Sequence, residues 1–161
     1  MAIHKDFPVS PHEILDPEIR WFPADESLRD SSYEKLMPPL VPELRKEVAK
    51  WRTGGYPDIS NTSKTLLNYW FKTSHPITHS DGTISNFQYY FAQREAVETV
   101  IYLHEAVKVA DKYDLLRFSK NNTVDPKLFE ETWRRYVVKM ATGSGKTKAM
   151  SLILAWSYFH K

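Results

Sequence analysis

Tyr136-Val137-Val138-Lys139-Met140, then Ala141-Thr142-Gly143-Ser144-Gly145-Lys146-Thr147, then an apolar run from Lys148 to Lys161, is the stretch on which the rest of the chain depends. A β-branched segment feeds a glycine-containing loop, and the loop opens onto a helical pattern. That is the order a phosphate-binding loop requires. Gly143 and Gly145 allow a sharp backbone turn that brings N–H groups close to phosphate oxygens. Lys146 supplies a mobile cation for outer phosphates, and Thr147 supplies a hydroxyl for Mg²⁺. The N-terminus of the following helix adds a partial positive charge. The strict pattern G-x-x-x-x-G-K-[ST] is not met, because Met140 stands where its first glycine belongs. The expected order is a strand over Tyr136–Met140, a loop over Ala141–Lys146 and a helix over Thr147–Lys161.

Only 14 residues follow Thr147. A complete parallel-sheet nucleotide-binding domain places several strand–helix units after its loop. The final helix is apolar nearly all round, with Ala149, Met150, Leu152, Ile153, Leu154, Ala155, Trp156, Tyr158 and Phe159, a pattern that calls for burial on both sides. The chain is therefore expected to be the N-terminal piece of a larger protein. Its expected fold class is α/β: a mostly helical N-terminal region, residues 1–85, followed by the truncated start of a P-loop lobe, residues 86–161.

The 161 residues suit about one domain, and an apolar content of 42% suffices for a core. Cysteine is absent, which excludes disulfides and fits a reducing compartment. No apolar run approaches a membrane span and no signal peptide opens the chain, so a cytoplasmic location is the expectation. The net charge of +2 is uneven. Lys108 to Lys148 holds ten Lys/Arg against five Asp/Glu, whereas residues 1–107 hold eleven against fifteen. Attraction for a polyanion around the loop and an ordinary solvated surface both fit that bias.

Residues 1–24 carry four prolines and read as an extended arm pinned by Trp21 and Phe22. Helices are expected from Asp25 to about Leu36, over Glu43–Arg52 with Pro42 in its first turn and Gly54-Gly55 as its stop, and over Asn61–Lys72. Thr73–Ser85 reads as a polar loop with an Asp81-Gly82 turn. A regular helix from Gln93 to about Tyr113 has Ala96, Val97, Val100, Ile101, His104 and Val107 as its inward face. Asp114–Val124 reads as a polar connection, and Pro126 starts a short helix to Thr132. His75, His79 and Asp81 read as loop residues, since Pro76 breaks any register that would pair the histidines on a metal. Pro57-Asp58 and Asp125-Pro126-Lys127 are too far apart to form a nuclease motif.

Met140-Ala141-Thr142-Gly143-Ser144-Gly145-Lys146-Thr147 resembles motif I of superfamily 2 helicases. About fifty residues upstream, Gln93-Arg94-Glu95-Ala96-Val97-Glu98 resembles the glutamine segment that precedes motif I there. The run Phe91 to Tyr102, with Arg20-Trp21-Phe22-Pro23-Ala24-Asp25-Glu26 and Met140–Lys161, resembles the DEAD/DEAH-box motor (Res) subunits of type III restriction enzymes. The resemblance implies a RecA-like lobe that binds ATP and Mg²⁺ through Thr142, Gly143, Ser144, Gly145, Lys146 and Thr147. Lys146 would serve the outer phosphates and Thr147 the metal. Gln93 would read the adenine edge, as an amide can donate and accept at once; a surface amide at a helix start is the plain alternative. Tyr90 and Phe91 are the aromatic neighbours available to the ring, because the position just before Gln93 is Ala92.

The family further implies an ATP-dependent DNA helicase or translocase acting on double-stranded DNA, with a DNA methyltransferase partner. Another P-loop NTPase or kinase, and a non-catalytic interaction module built on residues 1–85, are the competing functions. No Asp-Glu pair follows motif I in these residues to hold Mg²⁺ and position water, and the second lobe of such a motor is not among them. Purified 1–161 is thus expected to release no phosphate from ATP, with or without DNA. Steady turnover abolished by Lys146→Ala would instead mark a self-sufficient NTPase.

Overall fold

A computed structural model describes residues 40–119 and 136–160. The expected arm over residues 1–24, the helix from Asp25 and the helix from Pro126 to Thr132 lie outside these. Helix makes up 59% of the described residues, joined by one antiparallel strand pair, so the class is mixed α/β and mostly helical.

Helix α1 spans Val41–Thr53. A proline in its first turn presets φ without losing a needed donor, Glu43 faces the positive end, and Lys50 and Arg52 face the negative end. Gly54 donates its N–H to the Lys50 carbonyl, Gly55 turns left-handed at φ 78°, and Tyr56 N–H closes back on the Trp51 carbonyl at 3.0 Å. Helix α2, Asn61–Lys72, starts where the Ser60 hydroxyl accepts from Ser63 N–H. Its Ser63, Leu67 and Trp70 form one buried stripe.

Residues 73–85 are not a plain loop. Strands β1, His75–Thr78, and β2, Ile84–Phe87, pair antiparallel with His75 opposite Phe87 and Thr78 opposite Ile84. Asp81 accepts from both Thr83 N–H and Thr83 Oγ1, which fixes the turn. Both strands are largely exposed, so no apolar alternation betrays them in the sequence. His75 contacts the Tyr69 carbonyl and His79 the Ser85 hydroxyl, both within this hairpin's surroundings.

Helix α3 runs Phe91–Ile101 and continues as a π-helical turn, Tyr102–Ala106. The expected helix to Tyr113 therefore ends seven residues early. Lys108 takes a left-handed φ of 54°, and Asp111 then caps a new short helix, α4, Lys112–Leu115, which passes into a 3₁₀ turn over Leu116–Phe118. Of the expected inward face, Ala96, Val97 and Ile101 are buried. Beyond Ile101 the wider π turn rotates the register, and Leu103 and Glu105 point inward instead.

Helix α5 spans Lys146–Phe159. The expected strand over Tyr136–Met140 does not form. Those residues are unpaired with any strand among the described residues, and Val137 is 81% exposed. A strand exists only through its neighbour's hydrogen bonds, and the one described sheet lies in the hairpin. Burial of α5 is likewise one-sided. Ala149, Leu152 and Trp156 are covered, whereas Met150, Leu154, Tyr158 and Phe159 are exposed. Among the described residues no helix is long and apolar enough to cross a membrane.

One core cluster joins these elements: Trp51, Tyr56, Leu67 and Trp70 pack with Ala96, Val97, Ile101, Ala149, Leu152 and Trp156. It runs across residue 85, so segments on both sides of that position share one apolar interior. A smaller cluster of Leu103, Val109 and Phe118 adjoins Leu44 and Tyr136.

Beside the core lies a buried charge network. The fully buried Glu98 accepts from Arg52 Nε at 2.5 Å, Tyr56 OH at 2.5 Å and Arg94 Nε at 2.8 Å. Arg52 also reaches Glu95 at 2.7 Å, and Arg45 does so at 3.3 Å. Burial, reinforced by the Glu98 charge, pushes the Tyr56 phenol up to about 12 from 10.0. A raised folded-state value contributes stability that is fully present below pH 10 and lost as pH climbs toward 12. Urea unfolding across that alkaline window should show the midpoint falling in wild type and a shallower fall in Tyr56→Phe. Equal slopes would place the alkaline sensitivity elsewhere.

Candidate functional site

The loop Ala141–Gly145 is irregular, and α5 opens at its end. Gly143 and Gly145 both have φ 79°, a region costly for side-chain-bearing residues. Gly145 is the N-cap of α5, in left-handed geometry with no side-chain cap. Its carbonyl accepts from Lys148 and Ala149 N–H at 3.0 and 3.2 Å, which starts the helical ladder. The helix's first N–H groups have no carbonyl of their own turn and remain as donors at the loop. Ser144 donates its hydroxyl to the Ala141 carbonyl at 2.6 Å, and its N–H reaches the same oxygen at 3.3 Å, tightening the turn.

Lys146 is exposed and folds its Nζ back onto the carbonyls of Met140, at 3.3 Å, and Ala141, at 3.1 Å. The cation thus rests on neutral carbonyl dipoles of the loop and the residue before it. Thr142 and Thr147 are both exposed, Thr147 in the first turn of α5. An open hydroxyl one residue after the lysine fits a Mg²⁺–phosphate group, whose metal retains several waters and takes few protein ligands.

Gln93, 52 residues upstream, meets this loop. Its Nε2 donates to the Gly145 carbonyl at 3.4 Å while its Oε1 accepts from Tyr90 N–H at 3.0 Å. The side chain is 5% exposed, so it is held by both ends rather than waving at the surface. The approach depends on Gly145 lacking a side chain, because a Cβ there would sit 2.0 Å from Gln93 Nε2. Of the other residues near Gln93, Tyr90 is 68% exposed, and Phe91 packs beneath the guanidinium groups of Arg45 and Arg52 at 5.9 and 5.5 Å. Phe91 is therefore engaged by the charge network.

The far end of α5 is held separately. Trp156 Nε1 donates to Ser63 Oγ at 2.8 Å and to Glu105 Oε1 at 3.0 Å. Glu105 also accepts from Ser63 Oγ, from Ser60 N–H at 2.8 Å and lies 3.2 Å from His160 Nε2. Burial works against its ionisation, but the hydrogen bonds from Ser63, Ser60 and Trp156 outweigh it and hold the carboxyl below 4.5.

Sequence inspection singled out neither the Glu98 network nor the Glu105 clasp. The i, i+4 spacing of Arg94 and Glu98 was the one local sign of the first. The second assembles from Ser60, Ser63, Glu105 and Trp156, which no local pattern links. Among the described residues, no cluster of three or more His, Asp or Glu could hold a metal by itself. No protein-family profile, curated protein or solved structure matches the chain significantly.

Gly145→Ala should lose stability for two reasons, a left-handed φ and a collision with Gln93. Together they amount to roughly 1–3 kcal/mol. Adding Gln93→Ala should recover part of that loss, because it removes the atoms the new methyl strikes. Urea midpoints of the two single variants and the double variant test the coupling. Strict additivity would mean that the two side chains do not meet.

Proposed function

We propose that this chain carries the ATP-binding elements of an ATP-dependent DNA helicase or translocase of a restriction system, with Lys146 and Thr147 acting on Mg²⁺-bound phosphates and Gln93 on adenine. The observation that supports this most is the meeting of Gln93 with Gly145. Two segments 52 residues apart, each resembling a helicase motif, lie against one another through a backbone carbonyl at a glycine that admits no side chain. A glutamine held only as a helix-start amide needs its Tyr90 bond and nothing more. The second contact is what places an amide beside the loop.

The loop supplies the remaining chemistry. Left-handed glycines and the bare start of α5 present N–H donors to phosphate oxygens. Lys146 leaves two neutral carbonyls when an anion arrives, exchanging charge–dipole contacts for stronger charge-assisted ones. Finer parts of the proposal are a RecA-like lobe over residues 86–161, an accessory region over 1–85, a cytoplasmic setting, double-stranded DNA as the track and a methyltransferase as partner subunit.

Calorimetric titration of the chain with Mg²⁺-ATP tests the core of this reading. Heat of binding is expected in wild type and should vanish in Lys146→Ala. Gln93→Ala should keep triphosphate binding while erasing the preference for ATP over GTP, because the base-reading amide is gone. ATP binding that is indifferent to Lys146→Ala would overturn the assignment.

A further inference from the structure

From the cleft where the C-terminal half of α1 faces the π turn, we propose a second site, one that takes a small zwitterion of the aliphatic α-amino acid class, with Arg117 on its carboxylate and Glu47 on its ammonium. The cleft measures about 440 Å³, within the range of small-molecule pockets. Its charged walls are Glu47 and Asp58 against Lys50 and Arg117, two of each sign. Tyr102 stands between α1 and the 3₁₀ turn, with its ring against Trp51 at 5.3 Å and Phe118 at 6.4 Å.

The opposite charges do not cancel one another by pairing. Among the described residues, none of the four enters an ion pair. Glu47 and Arg117 nevertheless act on one point. Burial and then the Glu47 charge push the Tyr102 phenol above 10.0, and Arg117 opposes them. Both charges therefore lie within Coulombic reach of a single hydroxyl without joining each other. That hydroxyl makes no hydrogen bond among the described residues. An acid, a base and an unused hydroxyl thus converge on one gap.

The balance of signs selects the ligand. A phosphate would meet two carboxylates, and a bare cation would meet two bases. A ligand of no net charge that carries both signs satisfies each wall in turn. Arg117 presents a planar fork that matches a carboxylate, and Glu47 accepts from an ammonium. Pro57, Ala106 and Val107 supply the apolar wall for an aliphatic side chain. The frame is fixed before any ligand arrives. Trp51 Nε1 donates to the Pro57 carbonyl at 2.8 Å and holds that turn on α1. Tyr56 and Asp58 flank Pro57 with left-handed φ of 59° and 62°, and the opposite wall is a π turn. Both kinds of departure gather at binding sites. This site does not depend on the ATP reading. It adjoins the C-terminal end of α3, whereas the phosphate loop meets Gln93 in the first turn of that helix.

The test is saturation-transfer NMR of L-leucine with the full chain. Isocaproate, which lacks the ammonium, and isoamylamine, which lacks the carboxylate, are the comparison ligands. Wild type should bind L-leucine, and each analogue should bind at least about tenfold more weakly. Arg117→Gln and Glu47→Gln should each weaken L-leucine about 10- to 150-fold, the loss of one charge-assisted pair. Both side chains are exposed, so neither change reaches the core. Absence of L-leucine binding, equal binding of either single-charge analogue, or an affinity unmoved by both variants would overturn the proposal.

Discussion

A single buried carboxylate organises the described part of this molecule. Glu98 has no exposure, and it takes donors from α1 (Arg52), from the turn after α1 (Tyr56) and from its own helix (Arg94). Removing a charge from water costs several kcal/mol, and only good partners restore that. Here they are complete, so the carboxylate tolerates one arrangement of α1 on α3. Taking one partner from such a pair typically costs 3–5 kcal/mol, because the other charge stays buried. The network therefore fixes the rotation of α3 more firmly than apolar packing alone, which accepts slips between residues of similar size.

That rotation has a consequence at the helix start. Arg94 is bound to Glu98 one turn below, and Gln93 immediately precedes it. With α3 locked, Gln93 has one direction available, toward Gly145. The same α3 continues into the π turn that aims Glu105 at Ser60, Ser63 and Trp156. Helix α5 is thus gripped at both ends by side chains of one element: Gln93 at its N-cap and Glu105 near its C-terminus. The loop before α5 inherits its position from these two contacts, with no strand before it to serve as an anchor among the described residues.

Much of this was readable in the sequence where local chemistry decides the outcome. Pro42, Gly54 and Gly55 bound α1, because each satisfies or removes a specific backbone group; the Ser60 cap that starts α2 was not singled out. The glycines of the loop and the start of α5 within one residue follow the same logic. Failures came where a partner decides. The segment Tyr136–Met140 has the β-branched composition of a strand, but composition does not provide a neighbour to pair with. The hairpin formed where composition was silent, because Asp81 and Gly82 make the turn and the strands need only each other. Helix α3 ended at Ala106 although its apolar spacing ran on, since one extra residue in the π turn changed which side chains face inward.

The exposed side of α5 follows from the same distinction between local and distant control. Met150, Leu154 and Tyr158 recur every four residues and form an apolar stripe opposite the buried Ala149–Leu152–Trp156 face. A helix needs only one such stripe to dock, and α5 already docks through the other. The stripe lies largely outside the described core. The loop lies at the head of that same helix, and Lys146 is its first residue. Any partner that covered the stripe would be fixed relative to the cation that begins α5, which makes this helix the element through which packing on one side could be felt at the phosphates.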